Sequence, residues 1–256
     1  MKVNQRRRQI LSLIREIEDI DVGDLSTRFG VSEATIRRDL KDLSEKKLIQ
    51  RNRGGASTFY PYEYELPILA RAQLNRKEKE AVGQIAAELI EDGDTIFLSG
   101  GTTTYEVARN LTNKQGLKVI TLAINIINHL INFPEIAVIV PGGTLVPKHL
   151  TLVGEIAKYT LDRLRIDKAI MGVSAIDVNQ GITSESLKDA DTDRNIINIA
   201  RNLIVVTDSS KFGIVRTALI APVEEVDYII TDTNIAASEV ERIRSLGVKV
   251  ILAQPE

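Results

Sequence analysis

The chain's 256 residues suffice for one large domain, or for a small one joined to a medium one, and 43% hydrophobic with 27% charged content is ordinary for a globular protein. No run of about 18 apolar residues occurs, so no membrane span is expected. The basic start MKVNQRRRQIL spaces its apolar residues like a helix rather than a signal-peptide core, which makes the cytoplasm the expected location.

Cysteine is absent, which excludes disulfides, thiolate catalysis and Cys-ligated zinc. With His129 and His149 as its only two histidines, the chain is expected to carry no metal site and no cofactor. The net charge of −2 is unevenly spread. Residues 1–58 hold 13 Lys/Arg against 9 Asp/Glu, and residues 59–256 hold 20 against 26. A basic small unit beside an acidic large one is compatible with nucleic-acid binding by the first alone.

Taken in chain order, the first predicted helix runs from Arg8 to Ile17, with Ile10, Ile14 and Ile17 on one stripe. Asp19-Ile20-Asp21-Val22 breaks it. A short second helix turns Leu25 and Phe29 inward and stops at Gly30, placed as a C-cap. Ser32 is a suitable N-cap for a third helix, roughly Glu33 to Lys46. Ile36, Leu40 and Leu43 give that helix one buried face, and at about 100° per residue Ala34, Arg37, Arg38 and Lys41 lie opposite.

Two short helices split by Gly30-Val31-Ser32, the second basic on its outside, is the arrangement a major-groove reader needs. Ser32, Thr35, Arg37, Arg38 and Lys41 are therefore its candidate DNA contacts. Asp39 and Asp42 are expected to flank this face and pair with neighbouring Arg or Lys. Lys47 to Ala56 reads as a hairpin or wing with a basic, glycine-loosened tip, adding Arg51 and Arg53 to the candidates.

Residues 24–56, DLSTRFGVSEATIRRDLKDLSEKKLIQRNRGGA, closely resemble the winged helix-turn-helix of the DeoR family of bacterial regulators. The strings VSEATIRRDL and RGGA carry the resemblance. The family usually has His before GGA; Arg53 stands there and keeps the wing positive.

Phe59 to Pro67 holds four of the chain's eleven aromatic residues and two prolines, and reads as an extended connector whose rings pin it to a domain or a partner. The expected division is residues 1–58, a linker over 59–75, and a second domain over 76–256. A helix is predicted from Arg71 to Glu91, with Val82, Ile85, Ala86 and Leu89 inward.

Beyond it, short apolar runs alternate with helical stretches. Thr95–Leu98, Val119–Thr121, Ile136–Val140, Lys168–Val173, Leu203–Thr207, Tyr228–Thr231 and Val248–Leu252 read as buried strands of a largely parallel α/β sheet. In such sheets ligands sit past the carboxyl ends of the strands.

Three loops there carry candidate chemistry. In Ser99-Gly100-Gly101-Thr102-Thr103-Thr104, glycines admit a ligand to the backbone, and hydroxyls and free helix amides favour phosphate. No Gly-Lys-Ser/Thr follows, so it is not a P-loop. Gly142-Gly143 is the second turn. The third is Thr207 to Gly213, where Lys211 is placed to neutralise phosphate and Asp208 to accept from sugar hydroxyls, or the two to pair and cap the loop.

DeoR-family effector domains are similar, with D-S-G-T-T-T after a strand, a later Gly-Gly turn and D-S-S-K-F-G near the C-terminus, the last matched outright at Asp208–Gly213. The resemblance implies an α/β domain similar in fold to ribose-5-phosphate isomerase, binding a phosphorylated sugar. It implies a repressor of a sugar operon that binds double-stranded operator DNA. Ser99, Gly100, Leu122 and Asp193 depart from the family's pattern; Ser99 and Leu122 stand where it has Asp and Asn, which removes polar partners for sugar hydroxyls while the backbone cradle stays.

A single small winged helix reads few base pairs, so a homo-oligomer, dimer or tetramer, is expected. Two alternatives stay open: an isomerase with an appended DNA-binding unit, using Asp177, Glu185 or Asp208 as base, and a DNA-binding protein without an effector. His129 is expected to be structural and His149 to lie in a surface loop.

Overall fold

A computed structural model of the chain describes residues 3–17, 19–45, 48–52, 55–58 and 67–255. It divides into two compact units, Met1–Arg71 and Ala72–Glu256. Of the connector predicted over 59–67, residues 59–66 lie outside the described residues.

The first unit contains α1 (Val3–Ile17), β1 (Asp19–Asp21), α2 (Val22–Phe29), α3 (Glu33–Glu45), β2 (Ile49–Asn52), β3 (Gly55–Thr58) and α4 (Ile68–Arg71). Its strands form an antiparallel sheet in the order β1-β3-β2, with β2 and β3 in register from Ile49↔Thr58 to Asn52↔Gly55. This is the predicted wing. Arg53 lies outside the described residues, and Arg51 is placed only by its backbone, paired with Ala56.

Ile10, Ile14, Leu25, Ile36, Leu40 and Ile49 are buried together with Leu43, so the 3–4 spacing of α3 does face the core. Phe29 is only half-buried, and Val22 takes a buried place on α2 instead. α1 begins at Val3, five residues earlier than its apolar stripe suggests, because Arg6 is itself buried against a carboxylate.

The second unit contains α5 (Arg76–Glu88), β4 (Thr95–Leu98), α6 (Thr102–Arg109), β5 (Lys118–Thr121), α7 (Ile124–Leu130), β6 (Ala137–Ile139), β7 (Thr144–Val146), β8 (Thr151–Val153) and α8 (Glu155–Leu161). It continues through β9 (Ile166–Gly172), β10 (Ala175–Asp177), β11 (Gly181–Ser184), α9 (Leu187–Ile199), β12 (Ala200–Val206), β13 (Ala218–Ala221), β14 (Tyr228–Asp232), α10 (Ala237–Ser245) and β15 (Lys249–Ala253). The single helix predicted from Arg71 to Glu91 is broken at Asn75, whose φ of 47° is left-handed and cannot continue a helix.

Seven strands make one sheet in the order β15-β14-β12-β9-β4-β5-β6, and every pairing in it is parallel. Alternate side chains serve two cores. Phe97, Met171, Leu203 and Val205 pack with α8, α9 and α10, whereas Ile96, Leu98, Ile170, Ile204 and Val206 pack with α5, α6 and α7. Burial on both faces explains why these strands read as unbroken apolar runs.

β6 departs from that pattern: its apolar run predicts a buried strand, yet it is the sheet's edge, and Ile139 and Val140 are exposed. Two smaller sheets, the β7–β8 hairpin and the antiparallel β10-β11-β13, are additions the apolar pattern does not announce.

The topology fixes where a ligand belongs. From β4 the chain moves to β5 and β6 on one side, then returns to β9 on the other side of β4. The pairs Leu98↔Thr121, Leu98↔Ile170 and Val206↔Gly172 bring the carboxyl ends of β4, β5, β9 and β12 to one edge. The strand order reverses between β4 and β9, and at such a switch point open parallel sheets bind ligands in a crevice past the strand ends.

Candidate functional site

In the first unit the turn between α2 and α3 is built as the residues dictate. Gly30 has a left-handed φ of 61° and ends α2, its amide donating to the Ser26 carbonyl. The Ser32 hydroxyl accepts from the Thr35 amide at 3.3 Å and lies 3.0 Å from the Thr35 hydroxyl, tying the N-terminus of α3. Arg37, Arg38 and Lys41 are exposed on the face away from Ile36 and Leu40.

Arg37 meets Glu33 at 3.0 Å and Lys41 meets Glu45 at 3.8 Å, both one turn away and in solvent. Such pairs contribute about 0.3–0.5 kcal/mol, too little to hold either cation from a phosphate.

Asp39 and Asp42 are paired with arginines, as expected, and the arginines come from α1. Asp39, 2% exposed, accepts from Arg6 Nε at 2.6 Å and Arg7 Nε at 2.8 Å, and Arg7 Nη1 reaches Asp42 at 2.7 Å. Arg6 and Arg7 are thus fastened to the inner flank of α3, a role the sequence reading missed. The available signal was the position of Asp39, three residues after buried Ile36.

In the second unit the edge loops converge. Ser99 is buried, and its hydroxyl accepts from the Gly172 amide at 2.9 Å, joining the end of β4 to the end of β9. A Cβ on Gly100 would fall 2.5 Å from Thr151 Oγ1, so the β7–β8 hairpin lies directly on this loop.

Gly101 precedes α6, and no side chain caps that helix. Thr102 is half-buried, Thr103 and Thr104 are buried, and Thr104 Oγ1 is buried without a hydrogen-bond partner. A Cβ on Gly101 would lie 3.0 Å from that oxygen, which places it at the N-terminus of α6. The first turn therefore presents amide donors, an unsatisfied hydroxyl and the positive end of the helix dipole, a combination suited to an anion.

Gly142 and Gly143 lead into the β7–β8 hairpin. Gly143 has φ 124°, and a Cβ there would meet the Val153 carbonyl at 2.7 Å, so this turn needs glycine for its own closure. Leu122, where the family pattern has Asn, is 3% exposed and belongs to the apolar core.

Asp208 is 3% exposed. Its Oδ1 accepts from the Ser210 amide at 3.1 Å, from the Ser210 hydroxyl and from Asn75 Nδ2 at 2.8 Å. It thereby caps the 3-10 turn Ser209–Lys211, in which Lys211 is half-buried. Asp177, one of the alternative bases, accepts from the Asn179 and Gln180 amides, and Glu185 lies 3.6 Å from Arg216 Nε. Among the described residues no group of three His, Cys, Asp or Glu could hold a metal ion, and no helix is long and apolar enough to cross a membrane.

His129 lies between Tyr105 and Phe133, with centroids 5.7 and 5.3 Å away, and its Nε2 is buried without a partner. Burial, then the Arg109 cation, lowers its pKa from 6.5. A lowered folded-state pKa means the unfolded chain gains the proton first as pH falls. The stability from neutral His129 is thus complete above about 6.5 and lost below it. The melting temperature of this unit should fall on acidification from about pH 7 to 5, and His129→Phe should flatten part of that slope. An unchanged slope in the variant would remove His129 as a cause.

Comparison with known proteins agrees with this geometry. The family model of the DeoR-like helix-turn-helix domain matches residues 6–60, and that of the DeoR C terminal sensor domain matches residues 74–233. The chain belongs to the DeoR family.

This DeoR-family regulator is 33% identical over 252 residues to the provisionally named aga operon transcriptional repressor of Escherichia coli O157:H7, covering 97% of this chain and 93% of that one. It is also 33% identical over 234 residues to the glycerol-3-phosphate regulon repressor of Escherichia coli K12, covering 91% and 92%. Ribose 5-phosphate isomerase A from Methanocaldococcus jannaschii is similar over 54% of this chain and 55% of that one, at 18% identity and a TM-score of 0.40. A likeness that loose assigns no chemistry to the DeoR-family chain.

Proposed function

We propose that this DeoR-family regulator represses a carbohydrate operon by binding double-stranded operator DNA, and that a phosphorylated sugar bound at the carboxyl edge of its sheet controls that binding. The observation that carries the effector reading is the first turn of α6. It lacks a side-chain cap and holds the buried, unsatisfied Thr104 Oγ1 at the switch point of the sheet. Names of relatives point the same way, since one is a repressor of a glycerol-3-phosphate regulon.

Ser32 and Thr35 set the N-terminus of α3 for the major groove, and Arg37, Arg38, Lys41, Arg51 and Arg53 supply cations to phosphates and base edges. Ser99, Gly100, Gly101, Thr102, Thr103 and Thr104 form the anion cradle. Gly142 and Gly143 shape the hairpin over it, Lys211 neutralises the phosphoryl charge, and Asp208 accepts from a sugar hydroxyl through Oδ2. A dimer or tetramer doubles the short site one winged helix reads.

The isomerase reading is disfavoured by the engagement of its bases: Asp177 holds a turn and Glu185 faces Arg216.

Binding to DNA from upstream of the chain's own gene tests the interface. Arg38→Ala and Lys41→Ala should each weaken binding. If the removed cation neutralised a phosphate, the plot of log affinity against log salt should flatten by about 0.9. If it gripped a base edge, the variant should lose about 1–3 kcal/mol at the matching base pair and relax its selectivity there. Binding unaffected by Arg37→Ala, Arg38→Ala and Lys41→Ala together would exclude α3 as the reader.

A further inference from the structure

Gly172 ends β9 at the switch between β4 and β9, and no motif singles it out. Its surroundings do. A Cβ built on Gly172 would lie 3.5 Å from Thr104 Cγ2, 3.9 Å from Ser99 Oγ and 3.9 Å from the Val206 carbonyl oxygen. Those atoms belong to the first turn of α6, the β4 loop and the end of β12, two residues before Asp208.

The place of one missing side chain is thus bordered by the loop from β4 to α6 and by the end of β12. Gly172 is half-buried while Ser99 and Thr104 beside it are buried, so the opening lies over the glycine. Its amide is held by the Ser99 hydroxyl at 2.9 Å, which fixes the floor relative to the wall.

We propose that Gly172 is the floor of the effector crevice and determines ligand size: the space above it takes the carbon chain of a phosphomonoester whose phosphoryl group sits at the N-terminus of α6. This inference rests on the phosphorylated-effector reading and adds a residue that discriminates among phosphoesters. The phosphoryl end is gripped by α6 amides and Thr104 Oγ1, which stand on the wall. The polyol end crosses the floor toward the loop that Asp208 opens, where the Oδ1 atom of Asp208 already accepts from the Ser210 and Asn75 donors.

A methyl group at Gly172 meets only ordinary van der Waals distances, so the alanine variant keeps the fold while shortening the space above the floor. Binding to the full chain is measured by titration calorimetry with inorganic phosphate, glycerol 3-phosphate and glucose 6-phosphate. In Gly172→Ala the affinity for glucose 6-phosphate should fall at least tenfold relative to that for inorganic phosphate, with glycerol 3-phosphate between them.

Thr104→Val changes the wall and not the floor, and should weaken all three ligands together, leaving their ratio within about twofold of wild type. An unchanged ratio in Gly172→Ala, with phosphoesters still bound by the wild-type chain, would overturn the floor assignment and leave the effector reading standing. A wild-type chain that binds none of the three probes would overturn both.

Discussion

Replacing Asp39 with alanine is expected to unfold the DNA-binding unit under conditions where the α/β unit stays folded. Asp39 is 2% exposed and accepts from both Arg6 and Arg7; Arg6 is 7% exposed. Removing the carboxylate leaves a guanidinium buried without its counter-charge. Breaking one side of a buried pair costs about 3–5 kcal/mol.

A unit of roughly seventy residues has a small core, and whole domains are stable by only about 5–15 kcal/mol, so the loss takes a large share of the total. Chemical denaturation followed by circular dichroism should show an early transition absent from wild type, together with loss of DNA binding. Asp39→Asn keeps the shape and part of the hydrogen bonding, and should lose less. A variant that retains DNA binding and the wild-type transition would mean that the Arg6–Asp39 pair contributes nothing.

The second large effect is expected where no charge is involved. Gly83 is buried in α5 where it crosses α6, and a Cβ there would lie 2.6 Å from the carbonyl carbon and from Cβ of Glu106. Alanine is intrinsically better than glycine in a helix by about 0.8–1.0 kcal/mol. The overlap is with backbone, however, and cannot be relieved by turning a side chain.

α6 must move away from α5, and overpacking of this kind costs about 1–3 kcal/mol or more, which outweighs the helix preference. Because α6 carries Thr102, Thr103 and Thr104, its displacement should also weaken phosphoester binding by about tenfold or more. Thermal melting and titration on Gly83→Ala check both consequences. Unchanged melting with unchanged binding would show that the helix pair has slack which the interatomic distances do not suggest.

Which features were legible in the sequence follows from how locally they are encoded. Gly30, Ser32 and the Ile36–Leu40–Leu43 stripe encode the α2–α3 turn within a short stretch of chain, and the structure has them as read. The strands at Thr95, Lys168 and Leu203 announced themselves because both of their faces are buried.

The partners of Asp39 were not legible, since Arg6 lies 33 residues away and only folding brings it to α3. The β7–β8 hairpin and the β10-β11-β13 sheet are built from strands of three or four residues, too short for a periodic signal. β6 shows the converse error. Its apolar run has the composition of a buried strand, whereas the strand is an edge with one side left open.

The candidate effector loops do fall at strand ends, yet their side chains divide in a way the sequence does not show. Ser99 and Asp208 hold backbone amides, and Gly143 serves its own turn. Thr104 is left with an unsatisfied hydroxyl. Gly172 escaped notice because a glycine at the end of an apolar strand has no motif around it.

The most direct measurement is binding of the full chain to labelled DNA from upstream of its own gene, at fixed salt, with sugar phosphates added in parallel. Tight binding that one or more phosphoesters release is the expected result, with Thr104→Val binding the same DNA while resisting release. Binding indifferent to every phosphoester would contradict the effector reading of the α6 N-terminus, and absence of any sequence preference would contradict the regulator itself.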